Sequence, residues 1–433
     1  MNPGDGLLSS LADVEPASLV PGRRLDSPPL ESVAVRDALV LRDDLVLAVF
    51  AEGSGYVVAP LVVRAGEPTR RAEPGDGAFD QLVRRLAIGG TEGRFSFEPI
   101  GSVPEAGGER AIDVDQSNES VVVGERAVLK LYPRIDPGPQ PGLDLPVHLA
   151  AVGFTSIPTP FGSVTWRADD GGSVLVATAA AFLPEATDGW HWYLELLLAW
   201  LRGDVGEDEA FAPAPTLGRL SGDLHAALAT PSRMLPSPVR MADRTVIDRW
   251  RRRAERWLDE AVAITEGDAG ERLRARQGRA RSAFEVFDQV EAAPTMRIHG
   301  DLHVGQFLRW PGGVAVADFD GNPLAPAEER VALDTPVRDV AALMRSIDHL
   351  GRIAQRRGAG SLETIERWIT RSREDLLRAY LDALDAWRQR SLYDPRLLFP
   401  LEVAQECHEF AYAARYLPSW VSVPDLAMRS MFP

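Results

Sequence analysis

The sequence predicts an α+β protein in which a strand-rich N-terminal part is followed by a mostly helical remainder. Residues 33–41, 45–50 and 56–63 are apolar runs separated by polar or glycine-containing turns, as expected for short strands. Further strand-like runs follow as far as residue 182. From about residue 187 onward, apolar residues recur at helical spacing over long segments, which predicts helices at 190–201, 217–228, 239–264, 271–291, 336–356, 361–389 and 400–417. This change of pattern indicates that strands and helices are segregated along the chain.

The composition is that of a folded protein with more than one hydrophobic core. The chain has 433 residues, of which 45% are hydrophobic and 25% are charged, and a chain of this length can bury two or three cores. Its net charge of −16 argues against sequence-independent nucleic-acid binding, which depends on clustered Lys and Arg. We therefore expect no nucleic-acid partner.

Three features of the sequence predict a cytoplasmic protein. Cys407 is the single cysteine, which excludes an intramolecular disulfide and a cysteine-rich zinc site and suits a reducing compartment. The first residues lack the basic and apolar segments of a secretory signal. The most apolar helix-like run, residues 192–201, is too short to cross a bilayer, so we expect no membrane partner. The pattern does not predict an oligomeric state.

Residues 1–95 are predicted to form a small α/β module. The first three strands lie in it, and residues 79–86 have helical spacing. The segment contains no cluster of side chains suited to catalysis, and a Glu/Gly-rich link follows at residues 104–110. Its role is therefore not predicted by the sequence.

The segment 111–185 contains a hairpin whose second strand carries Lys130. Residues 120–123 and 127–132 are the predicted strands, on either side of a Gly-Glu turn. Of the 47 basic residues, 46 are Arg and Lys130 is the one Lys. Because a compact ammonium is not interchangeable with a guanidinium in a confined phosphate site, this pattern favours a phosphate-binding role for Lys130. The alternative is a Lys retained by chance.

Three oxygen-bearing side chains, those of Asp301, Gln306 and Asp318, are predicted to converge. Asp301 and Gln306 lie in a polar, glycine-containing loop between two short predicted strands, 296–298 and 307–308, and the strand 314–317 ends next to Asp318. Phosphoryl transfer needs a carboxylate to orient a hydroxyl and hard oxygen ligands for Mg²⁺. The spacing of five from Asp301 to Gln306 equals that from the base Asp to the metal-binding Asn in kinase catalytic loops. The alternative is a polar turn in an unrelated α/β domain.

These motifs carry a family resemblance. The motif His299-Gly300-Asp301-Leu302-His303, with the later pair Asp318-Phe319, resembles the aminoglycoside-phosphotransferase-like branch of the protein-kinase-like fold. Gln306 and the context 317–323 are most similar to the maltokinases and the related glucosamine kinases. The resemblance implies a bilobal kinase-like fold with an N-terminal cap module (1–95), a small lobe (111–185) and a mostly helical C-lobe with the catalytic loop (186–433). It also implies ATP and Mg²⁺ as cofactors, Asp301 as the catalytic base, and Gln306 and Asp318 as metal ligands. Asp339 resembles the buried Asp that receives backbone N–H groups of the catalytic loop, a structural role, and His299 is expected to support the loop by hydrogen bonding.

The resemblance assigns further residues to the nucleotide. Lys130 would bind the phosphates and Asp144 would be its acidic partner, although a carboxylate in the first turn of a helix is also favourable by itself. The expected phosphate loop contains no glycine, so Ser117 and Ser120 are expected to donate side-chain hydrogen bonds there. The alternative is a plain polar turn. Residues 182–185 resemble the hinge whose backbone meets adenine.

The acceptor is expected to be a sugar, and an amino sugar is favoured. By resemblance, Glu409 and Trp420 are the expected contacts. Asp320 adds a carboxylate close to Asp318 that suits a second cation or a hydroxyl or ammonium group of the acceptor, and His303 is a further candidate. Maltokinases carry longer Glu side chains at the positions of Asp320 and Asn322, so this chain leans towards the glucosamine kinases. Glu402, Glu406 and Glu409 share one helix face, where they need solvent, ionic partners or a cationic ligand. The alternatives are an acidic surface helix, a core Trp420 and a structural His303.

The sequence thus predicts a cytoplasmic, ATP- and Mg²⁺-dependent sugar kinase with glucosamine as the favoured acceptor. A maltokinase and an aminoglycoside phosphotransferase are the alternatives within the same class. A pseudokinase that only binds ligands is the alternative from another class. The glycine-free phosphate loop favours it, whereas the intact set of Lys130, Asp301, Gln306 and Asp318 argues against it.

Overall fold

The computed structural model describes residues 11, 14–20, 30, 32–53, 55–64, 66–112, 119–135, 141–322 and 325–433. It divides into two compact units. Unit 1 comprises Met1–Val147 with Pro158–Pro184, and unit 2 comprises His148–Ile157 with Glu185–Pro433. Unit 1 is strand-rich and unit 2 is mostly helical, so the predicted α+β class is confirmed. Among the described residues, no helix is both long enough and apolar enough to cross a membrane.

Unit 1 is built from antiparallel strands and helix α1. Its strands are β1 (Ala34–Arg42), β2 (Leu45–Glu52), β3 (Gly55–Val62), β4 (Arg70–Arg71), β5 (Gly90–Glu92), β6 (Phe95–Pro99), β7 (Glu109–Ala111), β8 (Glu119–Val123), β9 (Ala127–Leu131), β10 (Arg134–Ile135), β11 (Pro160–Arg167) and β12 (Ser173–Ala181). Helix α1 is Ala78–Ile88, and helix α2, Pro141–Ala151, begins in unit 1 and ends in unit 2. One sheet has the order β1-β2-β3-β10 with β4 also on β3, and the other has the order β5-β6-β11-β12-β9-β8-β7.

Strand β2 is apolar along most of its length because both faces of its sheet are covered. Val46 and Phe50 pack on one side with residues from the N-terminal segment. Leu47 and Val49 point the other way and join a core with α1 and the seven-stranded sheet. When successive side chains of a strand point to two faces that are both buried, the strand appears in the sequence as a continuous apolar run. This is why strand β2 could be predicted from the sequence.

The predicted boundary at residue 95 falls inside the seven-stranded sheet. Strand β5 precedes it, β6 follows it, and the two strands pair directly. Strand β10, from the predicted small lobe, pairs with β3 of the predicted N-terminal module. The division into residues 1–95, 111–185 and 186–433 stays a prediction. Unit 1 holds the first segment and most of the second, whereas His148–Ile157 and Glu185 of the second segment belong to unit 2.

Unit 2 is a helical assembly with two short hairpins. Its further helices are α3 (Gly189–Arg202), α4 (Glu207–Phe211), α5 (Pro213–Leu228), α6 (Arg244–Ile264), α7 (Gly267–Ala283), α8 (Val286–Gln289), α9 (Ala327–Val331), α10 (Val337–Arg356), α11 (Leu362–Ala386), α12 (Leu398–Tyr416) and α13 (Ser422–Met431). The hairpins pair β13 (Arg240–Ala242) with β14 (Ala293–Thr295) and β15 (Phe307–Trp310) with β16 (Gly313–Val316).

Helices α5 and α11 pack at very close range. A Cβ atom on Gly218 would lie 2.1 Å from the Leu376 carbonyl oxygen, and one on Gly222 would lie 2.6 Å from the Ala383 Cβ. Only glycine fits at these two positions, because any side chain would force the two helix backbones apart. The close approach fixes the register of α5 against α11.

Two predicted elements differ from the observed ones. The single helix expected at 271–291 is two helices, α7 and α8, because the chain turns at Phe284 and Glu285. The strand expected at 296–298 lies earlier, at Ala293–Thr295, and Met296 forms only an isolated bridge with Asp334. Both differences arise from tertiary contacts that local periodicity does not encode.

Candidate active site

The catalytic loop is anchored by hydrogen bonds to side chains of helix α10. The backbone N–H groups of His299 and Gly300 donate to the two carboxylate oxygens of Asp339, at 2.8 and 2.9 Å. Further along, the Val304 N–H donates to Ser346 Oγ at 3.0 Å. Gly300 has φ = 83°, a left-handed conformation that glycine adopts without strain. One helix therefore fixes the loop on both sides of Asp301, and Asp339 has the structural role that the family resemblance implied.

His299 ties this loop to the strand that precedes Asp318. Its Nε2 donates to the Ala317 carbonyl at 2.9 Å, and its Nδ1 accepts from the Asp301 N–H at 3.3 Å. This pair of bonds corresponds to the neutral imidazole with its proton on Nε2. The ring also packs against Phe319 with centroids 4.9 Å apart. His299 therefore supports the loop, as predicted, and has no nitrogen left for proton transfer.

Asp301 has the environment expected of a general base. Its carboxylate lies 4.0 Å from His303 Nε2. Burial, followed by the charge of Asp318, raises the pKa of the Asp301 carboxyl to about 6, against the opposing charge of Arg338. A carboxyl group with a pKa close to the working pH is well matched to proton transfer. The backbone before Asp301 is thus held by Asp339, and the raised pKa of the Asp301 carboxyl suits proton transfer.

Gln306 and Asp318 are brought together by hairpin β15–β16. The Ala317 N–H donates to the Gln306 carbonyl at 2.9 Å, so the residue before Asp318 lies beside Gln306. The side-chain amide of Gln306 is 3.4 Å from His303 Nε2, and the oxygen of an amide is the atom that can bind a metal ion. Asp318 has φ = 61°, an uncommon conformation for a non-glycine residue, and its side chain is exposed.

This donor set fits Mg²⁺ on a nucleotide better than a metal held by protein alone. Within the described ranges, no group of three or more His, Cys, Asp or Glu side chains could hold a metal ion. Mg²⁺ is commonly bound by one or two protein oxygens, with phosphates and water completing its octahedron. The amide oxygen of Gln306 and the carboxylate of Asp318 supply such a pair.

Two of the predicted nucleotide residues, Lys130 and Ser120, lie on the same face of the seven-stranded sheet. Lys130 is directly opposite Ser120 on β8 and Thr178 on β12, and cross-strand neighbours share a face. Its ammonium lies 5.9 Å from the ring centroid of Tyr132. Asp144 is in the first turn of α2 and is half-buried. Ser117 lies outside the described residues.

Glu409, on helix α12, is a carboxylate held by a neutral neighbour. Gln405 Nε2 donates to its Oε1 at 2.9 Å, and among the described residues Glu409 makes no salt bridge. Burial raises the pKa of the Glu409 carboxyl, although the charge of His349 opposes the shift. A carboxylate that forms no salt bridge among the described residues is suited to a cationic ligand.

The comparisons with known proteins agree with this geometry. No family model matches the chain. The chain is 40% identical over 380 residues to a glucosamine kinase of Streptacidiphilus jiangxiensis, covering 86% of this chain and 85% of the relative. It is 36% identical over 382 residues to a glucosamine kinase of Mycolicibacterium smegmatis, covering 86% and 92%. The chain belongs to the glucosamine kinase family. A solved structure, "Glucosamine kinase in complex with glucosamine, ADP and inorganic phosphate", matches with a TM-score of 0.82 at 35% identity, covering 98% of this chain and 99% of that chain.

Membership of the glucosamine kinase family confirms three predictions from the sequence. The family resemblance, the kinase-like α+β fold and the phosphotransferase class all hold. The roles assigned to individual side chains stay predictions.

Trp190 is a candidate acceptor residue that the sequence analysis missed. Its ring lies 5.8 Å from His303 and meets the half-buried Trp420 nearly at a right angle, at 6.4 Å between centroids. Helix α3 starts at Gly189, where a Cβ would lie 2.1 Å from the Val304 carbonyl oxygen, so the helix start abuts the catalytic loop. In the sequence, Trp190 follows shortly after Asp188, the N-cap residue of this helix. That pattern gives no information about a contact with His303, which is distant in the sequence.

The acidic face predicted for α12 is largely neutralised inside the protein. Glu402 accepts from Arg373 at 2.6 Å and lies 3.3 Å from Arg345, while Glu406 is 2.9 Å from His349. Of the open alternatives for Glu402 and Glu406, ionic pairing is therefore the observed one. The partners on α10 and α11 could not be assigned from helical spacing within α12.

Asn322 and Asp320 differ in their surroundings. Asn322 is buried, and its Nδ2 is 2.9 Å from His408 Nε2. His408 in turn packs against Trp257 with ring centroids 4.7 Å apart. Asp320 is half-buried in the turn after Phe319. Asn322 is thus tied to helix α12, while the predicted substrate contact of Asp320 stays a prediction.

Proposed function

We propose that this chain transfers the γ-phosphoryl group of ATP to a hydroxyl group of glucosamine. The observation that carries the proposal is the anchored loop in which Asp339 holds the backbone of His299 and Gly300 and Asp301 follows directly. Relatives at 36% and 40% identity are named glucosamine kinase, and the related structure contains glucosamine and ADP. The loop supplies the base that such a reaction requires.

Asp301 acts as the general base. Its carboxylate orients the sugar hydroxyl and accepts the proton as the hydroxyl oxygen bonds to the γ-phosphorus. The bond from that phosphorus to the bridging oxygen of ADP breaks, so the products are a sugar phosphate and ADP. The raised pKa of Asp301 supports this role, because a more basic carboxylate accepts a proton more readily.

Lys130, with Ser120 and Ser117, binds the phosphates of ATP, and Asp144 steadies Lys130. Gln306 and Asp318 would hold Mg²⁺, which when bound neutralises phosphate charge. The position of Gln306 beside the strand end that precedes Asp318 supports this assignment. The single cysteine and the dependence on ATP support a cytoplasmic location.

The acceptor is bound as a cation. Glu409 receives the ammonium group of glucosamine through a charge-assisted hydrogen bond, supported by its lack of a salt bridge among the described residues. Trp420 covers the apolar C–H side of the sugar ring. His303, between Asp301 and Trp190, and Asp320 bind hydroxyl groups.

The experiment is an assay of ADP release with glucosamine, glucose, maltose and kanamycin as separate acceptors. We expect glucosamine to have the highest kcat/KM. A higher value for maltose would show a maltokinase, and a higher value for kanamycin would show an aminoglycoside phosphotransferase. ADP release with none of the four, despite ATP binding, would favour a pseudokinase.

A further inference from the structure

A chain of buried hydrogen bonds runs from helix α11 to the catalytic loop. Tyr380 Oη is 2.9 Å from His225 Nδ1, and His225 Nε2 is 3.2 Å from Asp339 Oδ2. Asp339 then receives the backbone N–H groups of His299 and Gly300. Tyr380 and His225 are fully buried, and Asp339 is 1% exposed, so water does not compete for these bonds.

The donors and acceptors of these hydrogen bonds match at each step. A carboxylate only accepts, so His225 donates from Nε2 to Asp339, and its Nδ1 pairs with the hydroxyl group of Tyr380. Burial opposes ionisation of Asp339, but its interactions with His225, His299 and Gly300 outweigh burial and lower the pKa of its carboxyl. Every polar atom in this hydrogen-bond network therefore has a partner.

The two helices that carry His225 and Tyr380 are packed too closely to shift easily. His225 is on α5 and Tyr380 is on α11, the helices that approach closely at Gly218 and Gly222. The rings of His225 and Tyr380 also pack edge to face with centroids 5.6 Å apart. A rigid helix pair thus presents a hydrogen-bond donor to Asp339 at a fixed position.

We propose that His225 and Tyr380 are positioning residues for phosphoryl transfer. Through Asp339 they hold the backbone of His299 and Gly300, and this backbone sets the direction of the Asp301 carboxylate. Neither side chain has a described contact with Asp301, so their effect passes through Asp339. The inference rests on the proposed function, because it takes Asp301 as the base of that reaction. Misplacement of such a group by a fraction of an ångström is costly to catalysis.

Two substitutions of His225 separate positioning from bulk stability. In His225→Asn the amide takes the place of Nδ1 and the donor to Asp339 is lost, whereas in His225→Gln the amide nitrogen takes the place of Nε2 and keeps that donor. We expect His225→Asn to lower kcat by about tenfold or more, the loss of one charged hydrogen bond. KM for ATP and glucosamine should change by less than about threefold, a smaller factor than the kcat loss. His225→Gln should recover most of the lost kcat.

A matched pair of substitutions tests the contribution of Tyr380, the residue of the hydrogen-bond network that is furthest from the catalytic loop. Tyr380→Phe removes the hydroxyl that bonds His225. Trp387→Phe removes another hydrogen bond between the same regions, from Trp387 Nε1 to Asp223 on α5 at 2.8 Å, at an exposed site. We expect Tyr380→Phe to lower kcat by about threefold to tenfold, while Trp387→Phe keeps the wild-type value. Equal effects of the two variants would contradict the proposal.

Amide hydrogen exchange separates failure of this inference from failure of the proposed function. If the wild type does not phosphorylate glucosamine, the function is wrong, yet exchange of the peptide 296–306 still reports on the loop. His225→Asn should exchange faster than wild type in this peptide, and Trp387→Phe should not. Wild-type exchange and wild-type kcat in folded His225→Asn would overturn the inference. If His225→Asn does not fold, Tyr380→Phe and its control decide.

Discussion

At the scale of single residues, the active-site loop shows which predictions a local motif supports. Asp301, Gln306 and Asp318 could be chosen from the sequence because loop residues of fixed type and spacing flank short strands. Trp190 and His225 could not, because their importance comes from contacts with residues more than 110 positions away. A motif encodes the groups that react, whereas the groups that hold them are encoded only by the fold.

Replacing Asp301 by Asn should remove most of the activity and leave nucleotide binding intact. The amide cannot accept the hydroxyl proton, and a general base contributes on the order of 10²–10⁴-fold. We expect kcat to fall by about 10³-fold. The Kd for ADP, measured by calorimetry, should stay within about twofold of the wild type because Asp301 does not bind the nucleotide. Full turnover in this variant would remove Asp301 as the base.

Replacing Glu409 by Gln should weaken selection for an amino sugar. The neutral side chain keeps its shape and its bond with Gln405 but loses the charge that attracts an ammonium group. A charge-assisted hydrogen bond contributes about 1.5–3 kcal/mol, so kcat/KM for glucosamine should fall by about 10- to 100-fold. The value for glucose should change little. Glu195→Gln, on an exposed part of α3, is the control, and an equal loss for both sugars would contradict the role of Glu409.

At the scale of elements, the existence of a helix or strand was easier to predict than its boundaries or the residues that it contacts. Strands β2 and β3 and helix α10 follow from apolar runs and helical periodicity. The break between α7 and α8 does not, since the residues on either side continue to suit a helix. The ionic partners of Glu402 and Glu406 also lay on other elements, α10 and α11, which spacing along one helix does not disclose.

The contact between α5 and α11 should be intolerant of the smallest side chain. In Gly222→Ala the new methyl group would lie 2.6 Å from the Ala383 Cβ and 2.7 Å from the Tyr380 carbonyl oxygen. Overpacking of this kind costs about 1–3 kcal/mol of unfolding free energy, measurable by urea denaturation.

Gly278→Ala on α7 is the matched control for Gly222→Ala. Nothing lies within 4 Å of the position of its new methyl group. We expect this variant to be about 0.5–1 kcal/mol more stable than wild type, because Ala favours a helix over Gly. A stable Gly222→Ala protein would show that the helices separate easily, and it would weaken the case for a rigid support of His225.

At the scale of the whole molecule, the α+β class and the family followed from the sequence, and the grouping of segments into units did not. The seven-stranded sheet includes strands on both sides of residue 95, and such long-range pairing leaves no trace in local composition. The glycine-free segment 113–118, with Ser117, lies outside the described residues, so its part in phosphate binding stays a prediction.

The stability of the whole protein should fall in mild acid partly because of His408. Burial, with the charges of Arg338 and Arg253, lowers the pKa of His408 from 6.5 to about 4. Between these values the unfolded chain binds a proton that the folded chain does not, so stability present above pH 6.5 is lost as the pH falls towards 4.

From pH 7.5 to 5.0 this difference amounts to about 2 kcal/mol of unfolding free energy. His408→Gln should lose about 2 kcal/mol less than wild type over that range, as measured by urea denaturation at the two pH values. His191→Gln, which removes an exposed imidazole, is the comparison. Identical pH dependence of wild type and His408→Gln would contradict the lowered pKa of His408 in the folded protein.

The central claim is that the acceptor side of the anchored loop selects glucosamine. The most direct measurement is one reaction containing ATP, Mg²⁺ and equal concentrations of glucosamine, glucose, maltose and kanamycin, with the phosphorylated products quantified by mass spectrometry. Initial product ratios in such a mixture equal the ratios of kcat/KM. We predict that glucosamine phosphate is the main product in the wild type and that Asp301→Asn forms almost none. A predominance of maltose phosphate or phosphorylated kanamycin would contradict the account.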